Sequence, residues 1–254
     1  MHSNPRRLIA AALGAALLLS GCGLPEPSVA GDPGRAKVAL DPAAAAGNGI
    51  ESKTPGTIVK TALAALRKAR SVRMKGDFEE DGEAVGLDLK LTGKGDIAGW
   101  VESEGVRMHV IKSGERQFLR GREFLKQSAG PEIAELIGDD WMEVPLESDG
   151  SNDVTEGLDL KSLADELITE DDGFRKVGPA KVNGRAALKL KGPGQVLFVA
   201  TTGKPYPLRW EATLEGQKID FTGYDKNQGI KAPADAVGPD DLQERAETYG
   251  RPSA

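Results

Sequence analysis

The chain has 254 residues, a formal net charge of -6, 39% hydrophobic and 28% charged residues, and one cysteine. An acidic balance without a basic, aromatic-interleaved stripe argues against nucleic acid as a partner, because phosphate backbones repel such a surface. A single cysteine excludes an intrachain disulfide and a multi-thiolate metal site, so the folded part must stand on its apolar core.

At the N-terminus, Arg6 and Arg7 precede the uncharged run from Leu8 to Leu19, which gives way to Ser20, Gly21 and Cys22. Basic, then apolar, then small is the order of an export signal. The run is too short to cross a bilayer, since a spanning helix needs about 20 apolar residues, and the rest of the sequence has no second such run. Leu19-Ser20-Gly21-Cys22 resembles the lipobox of bacterial lipoproteins, whose cysteine is acylated on its thiol and becomes the first residue after cleavage. The likeness implies that residues 1–21 are a removable signal peptide and that lipidated Cys22 anchors the chain to the outer face of the cell membrane. Pro5 and Leu8-Ile9-Ala10 fit the twin-arginine pattern poorly, which favours the general secretory route. Two or three acyl chains on one residue give lasting attachment, because each buried methylene contributes about 0.8 kcal/mol. Without Arg6 and Arg7 the 33 basic residues fall to 31 against 39 acidic, a net of -8.

From Gly23 to Pro55 the sequence is Gly, Pro, Ala and scattered charge, with almost nothing large and apolar to bury. Residues 22–55 are therefore read as the lipidated cysteine and a flexible tether, which holds the folded domain roughly 30 Å from its anchor. Residues 56–235 read as one sheet-rich domain, and 236–254 as a C-terminal tail with room for a short helix.

The domain opens on an amphipathic helix, Thr57 to Arg70, with Ile58, Val59, Ala62, Leu63 and Leu66 on one stripe. Val72, Met74 and Phe78 then alternate with Arg73, Lys75 and Asp77, and Val85, Leu87, Leu89 and Leu91 with Asp88 and Lys90. Period two marks strands with one wet face. The alternation continues through Ile97 and Val101, then Val106, Met108 and Val110, into short segments at Phe118 and Phe124, with a turn at Ser113-Gly114. Pro131 opens a short helix through Ile137, and Leu160, Leu163, Ala164 and Leu167 give a second helical stripe over 159–168. Strands resume from Phe174 to Val182, turn at Asn183-Gly184, and run on through Leu188, Leu190, Val196, Phe198, Leu208, Trp210, Ile219 and Phe221. About eleven strands result, forming an α+β fold with a curved antiparallel sheet.

Chemistry-bearing patterns are sparse. His109 lies on the polar side of its strand beside Arg107, a surface position, and no nucleophile elbow, phosphate loop or metalloprotease helix occurs. The acidic clusters at Glu79 to Asp81, Asp139-Asp140, Asp149 to Asp153 and Glu170 to Asp172 do not match a calcium loop: counting from Asp149, Val154 stands at the glycine position and Leu160 at the bidentate acid. They read as hydrated turns, so neither an enzyme, nor a cofactor, nor a metal site is expected.

Lys176-Val177-Gly178, Val182-Asn183-Gly184-Arg185, Val196 to Ala200, Gly203 to Arg209 and Ile219 to Tyr224 together resemble the LppX and LprG type of actinobacterial lipoproteins. The first half fits through its helix and Ser71 to Gly76, so the likeness spans 56–233. That group is similar in fold to the LolA and LolB carriers. The resemblance implies an eleven-stranded half-barrel with helices across its concave face, enclosing an apolar cavity for acyl lipids or glycolipids. The expected lining is Val72, Met74, Phe78, Leu87, Leu89, Met108, Val110, Phe198, Trp210 and Phe221. The helix at 131–138 and the loop from Asp149 to Gly157 are the elements expected to move on loading. The alternative is a ligand-free envelope scaffold that uses the same fold to contact a membrane protein or signalling receptor.

Overall fold

A computed structural model of the chain describes residues 47–80, 83–146, 155–167, 173–213 and 216–249. The expected signal peptide, Cys22 and residues 23–46 of the expected tether lie outside the described residues, as does most of the loop from Asp149 to Gly157; residues 47–55, expected in the tether, instead pack on the fold, with Gly47 bridged to Thr202 and Ile50 buried.

The first helix, α1, runs Pro55–Arg67 rather than 57–70. Thr54 caps it by accepting the Thr57 N–H, and Pro55 fits the first turn because its missing donor would have had no partner there. It stops early because Arg70 N–H is taken by the Asp225 carboxylate, 2.8 Å away, which commits the chain to the following strand. Its buried residues are the expected Ile58, Val59, Ala62, Leu63 and Leu66.

The first half supplies six strands: β1 (Ser71–Glu80), β2 (Glu83–Thr92), β3 (Ile97–Ser103), β4 (Val106–Ser113), β5 (Arg116–Arg120) and β6 (Trp141–Val144). Between β5 and β6 stand α2 (Arg122–Ser128) and α3 (Pro131–Ile137). After α4 (Leu160–Leu167) come β7 (Arg175–Val182), β8 (Arg185–Gly192), β9 (Gln195–Ala200), β10 (Pro207–Ala212), β11 (Lys218–Thr222) and β12 (Ala236–Val237), then α5 (Pro239–Tyr249). The expected count of about eleven strands becomes twelve. The segment around Phe124 is helical, not extended, while β6 and the two-residue β12 join the sheet.

All twelve strands form one open curved sheet in the order β12-β6-β5-β4-β3-β2-β1-β11-β10-β9-β8-β7. Two meanders are thus joined side by side where β1 pairs antiparallel with β11, and only β12 runs parallel to its neighbour. Tight turns set the registers: at Asn183-Gly184 both residues have positive φ, 47° and 79°, the geometry whose twist suits a two-residue hairpin. Gly76 marks the join of the meanders, since a Cβ there would fall 1.8 Å from the Lys218 carbonyl oxygen.

Helices α1 to α4 cover one face of the sheet, and a single apolar cluster fills the space between. The Asp159 carboxylate caps α4 by accepting the N–H groups of Lys161 and Ser162 at 2.8 and 3.0 Å. Arg67 of α1 is ion-paired to Asp165 of α4. Farther along the chain, Arg245 of α5 reaches the Leu136 carbonyl oxygen and the Asp140 carboxylate beside α3.

Candidate functional site: the aliphatic layer between helices and sheet

The strand registers carry the apolar side chains across the sheet in continuous rows. One row reads Phe221, Met74, Leu89, Gly99, Val110, Leu119 and Met142. The next reads Leu190, Leu197, Trp210, Ile219, Gly76, Leu87, Val101 and Met108, eight strands wide. Aliphatic residues and methionine dominate both rows, and such side chains accommodate alkyl groups without leaving a polar atom unpaired. From the helix side the layer receives Ile58, Leu63 and Leu66 of α1, Leu125 of α2, Ile137 of α3 and Leu163 of α4.

Nine of the ten expected lining residues fall in this layer. Val72, Met74, Leu87, Leu89, Met108, Val110 and Phe221 are buried, while Phe78 and Trp210 are half-buried against them. The Trp210 Nε1–H donates to the Gln195 side chain at 2.8 Å, which leaves the ring free to pack on the layer. Phe198 is a correction. It belongs to a second cluster on the opposite face, with Val182, Ala187, Val196, Ala200 and Leu208, and Lys189 Nζ lies 5.4 Å from its ring centre. Strand β9 reads Val-Leu-Phe-Val-Ala after Gln195 and is buried on both faces, so its sequence carries no alternation to show which way Phe198 points. The layer also contains Leu188, Leu190, Leu197, Val199 and Leu119, which stand outside the expected lining although the alternation of most of them is visible in the sequence.

Across the outer face charge is paired along the registers. Arg73 holds Asp88 at 2.5 Å and Arg209 holds Asp220 at 2.5 Å. The hydrogen bond from Arg73 lowers the Asp88 pKa; for Asp220, burial acts upward but the Arg209 contact outweighs it and the net direction is down. His109 sits among Arg107, Arg120 and Trp141 on this face, where burial and the two arginine charges lower its pKa and favour the neutral ring. Arg107 and Arg120 lie over the rings of Trp100 and Trp141 at 4.2 and 4.6 Å.

Clefts open on the described surface at three places of note. One, about 570 Å³, lies at one end of the sheet between Arg185, Lys204, Tyr206 and Tyr224. A second, about 240 Å³, is bounded by Met142, Val144, Val237 and Leu242, and a third, about 470 Å³, by Glu83, Gly86 and Glu102. None of the three runs between α1 and the sheet.

A wide curved antiparallel sheet with helices on one face and an aliphatic layer between them is the architecture of an open half-barrel. Among solved structures the chain is similar to LprF from Mycobacterium bovis, with 14% identity and a TM-score of 0.48 over 72% of this chain and 100% of that one. It is also similar to the lipoprotein LppX from Mycobacterium tuberculosis, with 11% identity and a TM-score of 0.43 over 69% and 97% of the two chains. An outer membrane lipoprotein-sorting protein domain from Vibrio parahaemolyticus aligns with 13% identity and a TM-score of 0.23 over 78% and 98%. No family model matches the chain, and no curated protein matches it. The likeness is one of fold.

Proposed function

We infer that this is a membrane-anchored lipoprotein of the cell envelope that takes the acyl chains of lipids or glycolipids into the layer between its helices and its sheet. The observation that carries the reading is the eight-strand row of apolar side chains covered by separate amphipathic helices rather than by a second sheet. Separate helices can shift one at a time, each keeping its internal backbone hydrogen bonds, whereas the strands of a second sheet are tied together by their ladder and would have to move as a unit.

Magnitudes favour an exchange. Four large residues of the α1 stripe, at about 1.5–3 kcal/mol each, hold the helix down with roughly 6–12 kcal/mol. A twelve-carbon chain at about 0.8 kcal/mol per methylene contributes roughly 9 kcal/mol. An acyl chain and the helix stripe therefore compete for the same surface on nearly equal terms, which allows both loading and release. The competing reading, a ligand-free scaffold, is favoured by the tight burial of Leu63, Leu66 and Leu89, each 0% exposed, against one another's elements.

The test uses Trp210 as a reporter inside the layer and Trp100 and Trp141 as reporters outside it. In a W100F/W141F protein, brominated acyl lipids are expected to quench Trp210, and native mass spectrometry is expected to show one lipid per chain. An unquenched Trp210 together with an unliganded mass would refute acyl binding and leave the scaffold.

A further inference from the structure

The 570 Å³ cleft lies where the Asn183-Gly184 turn, the loop from Thr201 to Tyr206 and the end of β11 converge. Arg185, Lys204 and Lys226 line it against a single carboxylate, Asp225, so a chain of net negative charge is locally positive there. The Asp225 oxygens are already engaged: Oδ2 accepts from Lys204 at 2.8 Å and Tyr206 at 2.7 Å, and Oδ1 accepts the Arg70 N–H. Arg185 and Lys226 are exposed and carry no ion pair among the described residues. Tyr206 and Tyr224 stack at 3.9 Å with their planes 3° apart, giving the cleft a flat aromatic wall.

A second observation places this cleft relative to the rest of the chain. Gly47 bridges to Thr202, the Asn48 N–H donates to the Thr201 carbonyl at 2.8 Å, and the Asn48 amide donates to the Ala200 and Gly203 carbonyls at 2.9 and 3.0 Å. The segment leading back to Cys22 therefore meets the fold on the loop that carries Lys204.

We propose that this cleft binds the phosphate-bearing headgroup of an anionic membrane phospholipid, beside the point where the tether leaves the fold. The inference rests on the lipoprotein reading of the chain. The Arg185 guanidinium offers a planar fork to phosphate oxygens, Lys204 and Lys226 add point charges, and the tyrosine pair backs the glycerol carbons. Headgroup capture at this end turns the sheet's opposite end away from the bilayer and holds the tethered domain in one orientation.

The experiment uses the mature protein, extracted in detergent and placed in phosphatidylcholine nanodiscs with or without phosphatidylglycerol. At about fivefold per basic residue near an anionic surface, amide exchange over residues 183–186, 201–206 and 223–226 is expected to slow by at least tenfold when phosphatidylglycerol is present. Charge reversal of the two unpaired cations in R185E/K226E is expected to abolish that protection while leaving exchange in β2 and β4 unchanged. Equal exchange in both discs overturns the proposal, and so does protection that survives in R185E/K226E. Protection by soluble glycerol phosphate in phosphatidylcholine discs, with none from phosphatidylglycerol, overturns the headgroup as its source. Intact mass of the same preparation reports acylation of Cys22 separately; an unacylated chain refutes the anchor, and its co-sedimentation with phosphatidylglycerol vesicles then decides the cleft.

Discussion

Replacing Asp225 with Asn removes the charge at the centre of the knot that joins β1, β11 and the loop before β10. Asn tolerates the left-handed backbone at this position, φ 59°, so the substitution tests the charge and not the turn. Burial alone would raise the Asp225 carboxyl, but hydrogen bonds from Lys204, the Arg70 N–H and Tyr206 prevail and hold it at about 2 against an ordinary 3.8. With its side chain one-fifth exposed, that depression corresponds to about 2 kcal/mol of stability. Because folding lowers the pKa, the contribution is complete above pH 3.8 and vanishes as the pH falls through about 2. Urea unfolding of D225N at pH 7 is therefore expected to shift its midpoint down by about 1 M, taking a slope of roughly 2 kcal/mol per molar. Near pH 2 the two proteins are expected to unfold together. A gap that persists unchanged at pH 2, or one below about 0.5 kcal/mol at pH 7, would refute the assignment of the depressed pKa to this knot.

Gly76→Ala is expected to cost more than about 3 kcal/mol, because its Cβ would meet the Lys218 backbone, whereas Gly56→Ala, with open space around it in α1, is expected to add about 0.5–1 kcal/mol; thermal melts of the two read both. Phe198→Ala is expected to destabilise the outer cluster by about 3 kcal/mol and yet leave acyl quenching of Trp210 unchanged, which a fluorescence titration checks. Arg67→Gln breaks the exposed bridge between α1 and α4, so stability is expected to change by less than about 1 kcal/mol while stopped-flow acyl uptake accelerates.

The parts of the fold legible in the sequence are those whose signal is local. The α1 stripe repeats at helical spacing, β1 and β2 alternate cleanly, and Asn183-Gly184 names its own turn. Strand β6 escapes because its four residues are all half-buried and show no alternation, and β12 because two residues carry no period. Helix α2 reads as a strand at Phe124, since a seven-residue helix offers barely two turns of pattern. For the aliphatic layer, parity sorts most residues to the correct face; it fails at Phe198, where apolar residues occupy both sides of the strand. The basic cleft is invisible for a different reason. Arg185, Lys204 and Lys226 come together only because β8, β10 and β11 have ends at the same place, and no spacing in the sequence records that.

The join of β1 to β11 has a consequence for how the chain folds. Every other antiparallel pairing in the sheet links strands close in sequence, but this one brings Met74 to Phe221. Closing so long a loop is slow compared with forming hairpins. During synthesis the first meander is complete before β11 exists, and β1 waits as an open ten-residue edge. Such an edge invites pairing with another chain. Arg73, Lys75 and Asp77 stand at alternate positions along it, and their charges discourage a second copy from docking until β11 arrives with Asp220 and Lys218 opposite Lys75 and Asp77. The charge pattern that later seals the two halves first serves to keep strangers off the seam.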